Sequence, residues 1–574
     1  MSIQNEIRIS VDEHSIAGRK EVNQDFHGVS IPKKHLLGSK GIAIALADGI
    51  SSSKVSQIAS ETAVRNFLDD YYCTSEAWTV KKSAQQVLNA ANSWLYSQTQ
   101  KTTLRLDKDK GYVCTISAMI IKSTRAHIFH IGDSRVYQLR DGALTLLTED
   151  HRVWLSADKS YLSRGLGINP QVEIDYQVMS LNNNDVFLLM TDGVYEFISQ
   201  EFICDTVENN SDITGVAQIL VDEAYLKGSD DNLTVQVIKI DQLPSQLEPE
   251  LNQELTKLPF PPVLEARAQF DGYKIIRVLQ SSSRSHVYLA IDENDRQIVI
   301  KTPSVDLQGD SAYIERFLME EWVARRIKSD HVLKPCLQTK QRKFLYLVTE
   351  YIEGQTLTQW MADNPKPELE MVRRIIEQIA KGLFAFHRQE MLHQDLRPNN
   401  IMIDKNGTVK IIDFGATKVA GIAEIITSSE REDILGTAQY TAPEYFLGEA
   451  GTAKSDLFSL AVICYQMLSG KLPYGTLVAK SRTKSAQNKL NYQSVLDDER
   501  EIPAWIDYTL KKALQPRPDK RYKELSEFLY DLRHPSSVFL NQTQEPLIER
   551  SPVVFWQSVS VSLAIIIVLI LVFK

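Results

Sequence analysis

At 574 residues the chain is too long for one compact core and is expected to hold several domains of roughly 100–200 residues each. Its 43% hydrophobic and 24% charged residues are those of a folded protein, and a net charge of −9 excludes the domain-wide basic surface that binds nucleic acid. The five cysteines, Cys73, Cys114, Cys204, Cys336 and Cys464, form no CxxC pair, which argues against structural zinc or a disulfide framework and for a reducing compartment.

Residues 1–240 alternate β-rich runs ("GIAIALADG", "TISAMIIK", "AHIFHIGDSRVYQLRDG", "DVFLLMTDG") with helical stretches such as "ASETAVRNFLDDYY" and the run near Gln85 to Leu95. That pattern predicts stacked sheets flanked by helices. The N-terminal "MSIQNEIRIS" carries no apolar signal-peptide core. Residues 241–269, opening "DQLPSQLEPELNQELTKLPFPPVLE", read as a linker, polar, acidic and proline-bearing. Residues 270–533 begin β-rich and turn helical, as in "PELEMVRRIIEQIAKGLFAFH", with apolar residues at helical spacing. Residues 534–552 form a polar connector. Residues 553–573, "VVFWQSVSVSLAIIIVLILVF", carry no charge, and as a helix they reach about 31 Å, enough for a bilayer core. They are predicted to be a single transmembrane helix that anchors the chain by its tail, with Trp556 at the interface. Gln557 and three serines dilute its first half. The alternative is a buried C-terminal helix, against which "LAIIIVLILVF" is apolar on every face.

In the first block, aspartates stand beside glycine at the ends of apolar runs: Asp48-Gly49, Asp133 in "HIGDSR", Asp192-Gly193, and Asp231 in "GSDDNLTV", with Asp25 upstream. One such aspartate is ordinarily a turn residue. Several at strand ends can converge on hard cations, and oxygen ligands suit magnesium or manganese better than zinc. "LADG", "GDSRVYQLRDGALTLLTEDH", "LLMTDGVYE" and "SDDNLTV", in that order over about 230 residues, resemble the metal-dependent protein phosphatases (PPM, type 2C-like). The resemblance implies a centre of two or three Mg2+ or Mn2+ ions. Asp48, the Gly49 carbonyl, Asp192 and Asp231 would hold the first two, Asp133 a third, while Asp25 orients water and Asn232 completes the last motif. Paired cations acidify a water and neutralise phosphoryl oxygens for in-line attack. Lys20, beside Arg19, occupies the phosphate-holding position that is usually arginine, so it binds as a point charge without the bidentate fork. Gln24 stands where a glutamate is common, and "ISSS" replaces a Gly-rich or His-bearing turn.

The second block places Lys301 in "IVIKTP" and Glu320 in "YIERFLMEEWVARRI", then "LHQDLRPNNIMID", "VKIIDFGATK", "GTAQYTAPEYF", "KSDLFSLAVICYQMLSGKLPY" and "RPDKRY". In order and spacing, over about 260 residues, these resemble the eukaryotic-like protein kinases. The resemblance implies that Lys301 grips the α/β-phosphates of ATP and pairs with Glu320, Glu321 being the alternative partner. Asp395 would accept the substrate hydroxyl proton, Arg397 would contact the transferred phosphate, and Asn400 with Asp413 would hold Mg2+. Glu444 and Arg521 would form a structural ion pair. The lid, usually G-x-G-x-x-G, here has Gln280, Ser282 and Ser285, which allow less close backbone approach, although Ser282 and Ser285 hydroxyls can donate to phosphate. Gln394 replaces the arginine that pairs with an activation-loop phosphate. Thr437 favours Ser/Thr specificity, and Thr427, Ser428 and Ser429 are autophosphorylation candidates, with a flexible acidic loop as the equal alternative.

The sequence therefore predicts a multidomain α+β protein: a PPM-type β-sandwich flanked by helices, a bilobal protein kinase fold and one C-terminal transmembrane helix. The expected function is a membrane-anchored Ser/Thr phosphatase and ATP-dependent Ser/Thr kinase on one chain, acting on phosphoprotein and protein substrates. A bacterial inner membrane is the expected location, with both catalytic domains facing the cytoplasm. An active phosphatase governed by a nucleotide-binding pseudokinase is the alternative, and a non-catalytic membrane scaffold is a third reading.

Overall fold

The computed structural model describes the chain except residues 1–5, 108–109, 157–158, 211, 245–257, 337–341, 423–438, 497–500, 543–551 and 573–574, and the side chains of a few further helix and strand residues. It divides into two compact units. The first comprises Met1–Gln355, Lys381–Gln394 and Asn400–Glu432, and the second Thr356–Ala380, Asp395–Asn399 and Asp433–Lys574. The boundary falls inside the second sequence block, so its β-rich start belongs with the first block.

In the first unit, twelve strands run β1 (Arg8–Ile16), β2 (Phe26–Ser30), β3 (Ile42–Ala47), β4 (Ile116–Lys122), β5 (Arg125–Ile131), β6 (Arg135–Arg140), β7 (Ala143–Leu146), β8 (Arg152–Ser156), β9 (Lys159–Leu162), β10 (Asp175–Ser180), β11 (Val186–Met190) and β12 (Leu233–Gln242). Ten of them make two five-stranded sheets, ordered β1-β12-β11-β6-β7 and β10-β5-β4-β3-β2, while β8 and β9 pair as a separate hairpin. Ile42, Ile44, Leu46 and Met119 of one sheet meet Phe187, Leu189, Ile238 and Ile240 of the other in a shared core, as a sandwich requires. Every residue of β3 is buried, because its other face is also covered. That cover is α2 (Ser56–Cys73) and α3 (Val80–Lys101), which follow α1 (Lys34–Lys40). The opposite sheet is covered by α4 (Asp192–Tyr195), α5 (Gln200–Asn209) and α6 (Val216–Leu226), whose Val216, Leu220 and Ala224 pack on Leu188, Met190 and Val235.

The same unit continues with a third five-stranded sheet, antiparallel throughout, β13 (Gln269–Phe270), β14 (Tyr273–Ser281), β15 (Ser285–Ile291), β16 (Gln297–Pro303) and β17 (Leu347–Glu350), and helix α7 (Ser311–Arg326). Asp310 caps α7 by accepting from the Ala312 and Tyr313 amides. The expected linker is shorter than 241–269 at both ends. β12 runs on to Gln242, and Leu264 is buried with Ile275 and Tyr288 in the core of the β13–β17 sheet because an apolar side chain there gains by leaving water. The short strands β18 (Gly354–Thr356), β19 (Met391–Leu392), β20 (Ile401–Asp404), β21 (Val409–Ile411) and β22 (Lys418–Val419) follow.

The second unit is helical: α8 (Leu357–Asp363), α9 (Leu369–Arg388, which runs across the unit boundary), α10 (Ala453–Ser469), α11 (Leu477–Lys480), α12 (Lys484–Gln487), α13 (Ala504–Ala513), α14 (Leu525–Arg533), α15 (Ser537–Gln542) and α16 (Pro552–Val572). The apolar spacing in α9 buries Val372, Ile376, Ile379, Leu383 and Phe386. A Thr452–Ser455 capping box starts α10, and left-handed Gly470 (φ 69°) ends it. The helix α16 covers 553–572 of the expected span, with Leu563, Ile565, Ile566 and Leu569 exposed. Against that expectation, among the described residues no helix is long and apolar enough to cross a membrane. Gln557 and three serines dilute its first half, and Phe573 with several side chains of this helix lies outside the described residues.

Candidate active sites

Strand ends from both sheets of the sandwich bring the first set of aspartates together. Asp48 follows β3, Asp25 precedes β2, Asp133 lies in the β5–β6 turn, Asp192 starts α4 after β11, and Asp231 precedes β12. Two glycines make the approach possible. A Cβ on Gly193 would lie 2.0 Å from the Asn232 carbonyl oxygen, and one on Gly49 would lie 2.8 Å from that of Ser56. Asp25 is buried. Its Oδ2 accepts from Thr234 Oγ1 at 2.6 Å and Thr191 Oγ1 at 3.1 Å, whereas Oδ1 receives no hydrogen bond among the described residues. Burial, reinforced by the Asp192 charge, pushes the Asp25 carboxyl up to about 7 against the hydrogen bond from Thr234. Burial and then the charges of Asp25, Asp192, Asp133 and Asp231 hold Asp48 well above the usual carboxylate range. Asp192 is pushed up to about 6, by burial first and then by Asp133, with Arg152 opposing.

Arg152 is the residue that the sequence did not single out. From the first position of β8 its guanidinium pairs with Asp133 and Asp192 and reaches Glu196 at 2.6 Å. Among the described residues no three acidic, His or Cys side chains stand ready-spaced around a cation; Arg152 lies among the aspartates instead. His151 was also missed: its Nδ1 accepts from the Gly132 amide at 3.0 Å and its Nε2 meets Asp175 at 2.9 Å, fixing the turn that carries Asp133. Arg152 has no local sequence signal, because it acts across the fold; His151 ends the quoted motif "GDSRVYQLRDGALTLLTEDH", but its partners Gly132 and Asp175 are set only by folding. Lys20 lies at the cluster's edge, 3.4 Å from Asp231. Arg19 turns away to the Gly228 carbonyl at 2.8 Å, so of the two cations only Lys20 faces the acids. Gln24 donates through Nε2 to Ser53 O and Ser56 Oγ, tying down the "ISSS" turn. Asn232 holds the 17–24 loop through Ala17 O, Val22 O and the Gln24 amide.

A part-buried, all-oxygen, mutually repelling acid set with an unsatisfied oxygen on buried Asp25 fits hard divalent cations. It also sets a sign. These carboxyls titrate near 3.8 when unfolded and near 6 to 7 when folded at Asp192 and Asp25, so the folded state holds more protons in between and loses stability as pH rises through that window. In EDTA, the melting temperature is expected to fall from pH 4.5 to 7.5 more steeply than in Asp48→Asn. At pH 7.5, Mn2+ is expected to raise it in the native chain and much less in that variant.

In the β13–β17 part, Lys301 of β16 meets Glu320 of α7 at 2.7 and 2.9 Å and Asp413 at 3.6 Å. Burial alone would lower the Lys301 pKa, but Asp413 and Glu320 together hold it raised. Glu321 is engaged elsewhere. Burial is outweighed by Arg325 and Arg342, which bring it down to about 2. Asp413 Oδ1 accepts from the Gly415 amide at 3.1 Å, and Phe414 is buried beside Phe386, with ring centroids 5.7 Å apart. Asn400 is buried, and its carbonyl accepts from the Ile412 amide at 2.9 Å.

The β14–β15 hairpin explains how a lid can lose its glycines. Gln280, Ser282 and Ser285 all keep negative φ, so no position needs glycine for its backbone. Ser282 Oγ donates to Ser285 O at 3.0 Å and accepts from the Ser285 amide at 3.1 Å, so that hydroxyl holds the turn. The tip is anchored further by Ser304 N and Tyr313 Oη, which both donate to Arg284 O.

In the second unit, Asp395 lies 3.4 Å from Arg397 Nε. Gln394, the last residue before it, adopts φ 64°, a left-handed conformation uncommon for a non-glycine residue. Glu444 and Arg521 form a buried bidentate pair at 2.8 and 2.7 Å, supported by Ser455 Oγ at 2.7 Å. Breaking such a pair strands a buried charge, so Arg521→Ala is expected to cost about 3–5 kcal/mol. Urea unfolding followed on the helical unit checks this. Thr427, Ser428, Ser429 and Thr437 lie outside the described residues.

Residues 14–226 match the family model "Protein phosphatase 2C", and residues 273–531 match "Protein kinase domain". The chain thus carries a domain of each kind. It is 32% identical over 208 residues to "Serine/threonine-protein kinases PknA" of Corynebacterium glutamicum, covering 35% of this chain and 44% of that protein. It is 28% identical over 264 residues to "Serine/threonine-protein kinase PrkC" of Bacillus subtilis, covering 46% and 40%. The chain therefore spans less than half the length of these curated relatives. Among solved structures it is similar to the S. agalactiae serine/threonine phosphatase, 24% identical with a TM-score of 0.37, covering 41% of this chain and all of that one.

Proposed function

We propose that this chain, with its protein phosphatase 2C domain and its protein kinase domain, both writes and erases phosphate on serine and threonine. The observation that carries the reading is that each domain retains its own assembled acid set: Asp25, Asp48, Asp192 and their neighbours in one, and Lys301–Glu320–Asp413 in the other.

In the phosphatase domain, Asp48, the Gly49 carbonyl, Asp192 and Asp231 would hold two Mg2+ or Mn2+ ions, and Asp133 a third. Bound there, the cations would neutralise phosphoryl oxygens and acidify water. Lys20 draws the substrate phosphate to the cluster's edge as a point charge. Asp25, its Oδ2 fixed by Thr191 and Thr234, orients the attacking water through Oδ1. Arg152 must leave Asp133 and Asp192 when they take up another cation. In the kinase domain, Lys301 neutralises the α/β-phosphates and Glu320 holds it in place. Asp395 accepts the proton of the serine or threonine hydroxyl as its oxygen bonds to the γ-phosphorus and ADP leaves. Arg397 balances charge on the transferred group, while Asn400 and Asp413 would hold Mg2+. Ser285 remains the lid hydroxyl available to phosphate, since Ser282 serves the turn.

The tail belongs to the same proposal. Exposed Leu563, Ile565, Ile566 and Leu569 on α16 support anchoring to the bacterial inner membrane, with both domains on the cytoplasmic side. Carbonate-resistant sedimentation with membranes that is lost on deleting 552–574 is the expected result, and release by carbonate from the full chain would refute it. The alternative reading, an active phosphatase with a nucleotide-binding pseudokinase, is favoured by Ser282 alone. One preparation tests both activities: release of phosphate from a phosphopeptide with Mn2+, and incorporation of label from ATP with Mg2+. Binding of ATP without any incorporation would leave the pseudokinase reading.

A further inference from the structure

Helix α7 carries Glu320 toward Lys301 on one face. At 3.6 residues per turn, Trp322 projects about 200° around the helix from Glu320, onto the opposite face. That face meets the corner between α2 and α3 of the phosphatase domain, within the same compact unit. Trp322 and Trp78 are both buried, with ring centroids 6.0 Å apart. Arg326 pairs with Asp70 at 2.7 Å, and Glu315 with Lys82 at 2.7 Å. The corner itself is firm: Lys40 Nζ donates to Thr74 Oγ1 at 2.8 Å and to Ser75 O at 2.7 Å.

The far end of α3 makes a second contact with the kinase domain. Trp94 Nε1 donates to Arg388 O at 3.2 Å, and Lys101 pairs with Glu390 at 2.6 Å. Gly421, two residues after β22, comes so close to α3 that a Cβ there would lie 2.6 Å from Asn89 O. One helical layer of the phosphatase domain therefore touches both the helix that positions Glu320 and the chain that leads away from Asp413.

We propose that the α2–α3 layer of the phosphatase domain is a docking surface for α7 and holds Glu320 against Lys301, so that the phosphatase domain acts as an activating subunit of the kinase in the same chain. This rests on the kinase reading above. A clamp of this kind stabilises the arrangement of α7 in which Glu320 reaches Lys301, and removing it frees the helix to shift or fray.

The test uses the full chain in detergent, with Trp78→Ala, Lys82→Glu and the swap Lys82→Glu/Glu315→Lys. Amide hydrogen exchange over 311–326 reads the clamp, label incorporation from ATP reads its consequence, and phosphopeptide hydrolysis with Mn2+ reads the fold of the phosphatase domain. Trp78→Ala is expected to speed exchange in α7 and slow incorporation by about tenfold each, with hydrolysis unchanged. Lys82→Glu should do so by about two- to fivefold, and the swap should restore both. Unchanged exchange in α7 in both single variants, with hydrolysis intact, would overturn the proposal. If no variant and not the native chain incorporates label, the kinase reading fails, and exchange in α7 still decides the clamp.

Discussion

Asp192→Asn in the full chain is expected to lower Mn2+-dependent hydrolysis of a phosphoserine peptide by about 10²-fold or more, while incorporation of label from ATP is retained. Asp192 sits where its charge meets Asp48, Asp133 and Asp231, and the cluster's affinity for cations depends on that summed charge. Losing one preorganised charged group at a phosphoryl site costs on the order of 10²–10³ in rate. The loss should persist at saturating substrate, since on the proposed reading the aspartate would act at the reacting centre and not as a handle for the peptide. Lys20→Ala should differ: it removes a cation at the edge of the cluster, so its main expected effect is a rise in KM. Steady-state kinetics on the pair separate the two roles, and equal hydrolysis by Asp192→Asn and the native chain would remove the aspartate cluster from the mechanism.

The second large effect is expected from Lys301→Met. Its Nζ lies 2.7 Å from Glu320 and 3.6 Å from Asp413. Substitution removes the positive charge that Lys301 sets against both carboxylates, and on the proposed reading it also removes the group that would grip the phosphates. Label incorporation should fall by about 10²-fold or more, with phosphopeptide hydrolysis unchanged. Asp395→Asn should give a similar loss while leaving ATP affinity nearly native, because on the proposed reading that side chain would meet the acceptor hydroxyl and not the nucleotide. An ATP titration followed by nucleotide exchange measures the affinity, and filter-bound label measures the transfer.

Much of this architecture was legible in the sequence, for physical reasons. Apolar runs that end in Asp-Gly announce strand ends, and β3 and β11 indeed deliver Asp48 and Asp192 from opposite sheets. Helical apolar spacing located α9, and "IVIKTP" located the strand of Lys301. What could not be read were the partners made by folding. Arg152 and His151 act on residues far away in sequence, and nothing in "DHRVW" distinguishes an arginine among buried aspartates from a surface one. The serine lid looked like a weakened phosphate grip. What the sequence does not show is that Ser282 also closes the hairpin turn and that negative φ at all three positions removes the demand for glycine. The linker was overdrawn because Leu264 and Pro259 look like polar-segment residues until the sheet they pack on is formed; the Pro259 carbonyl accepts from Leu345 at 2.9 Å. The division of the second block was equally hidden. Trp322 reads as an ordinary helix residue until it is seen buried beside Trp78, one of several contacts that join α7 to the α2–α3 layer within the first unit.

The central claim, that one chain writes and erases phosphate, is tested most directly with Asp192→Asn in this chain, in which the proposed removal of label is slowed about 10²-fold. Incubated with labelled ATP and Mg2+, it should accumulate label that is absent from the Asp192→Asn/Asp395→Asn double variant. Adding native chain and Mn2+ with excess unlabelled ATP should then strip that label. Label that forms without Asp395, or that survives the native chain and Mn2+, would contradict the account.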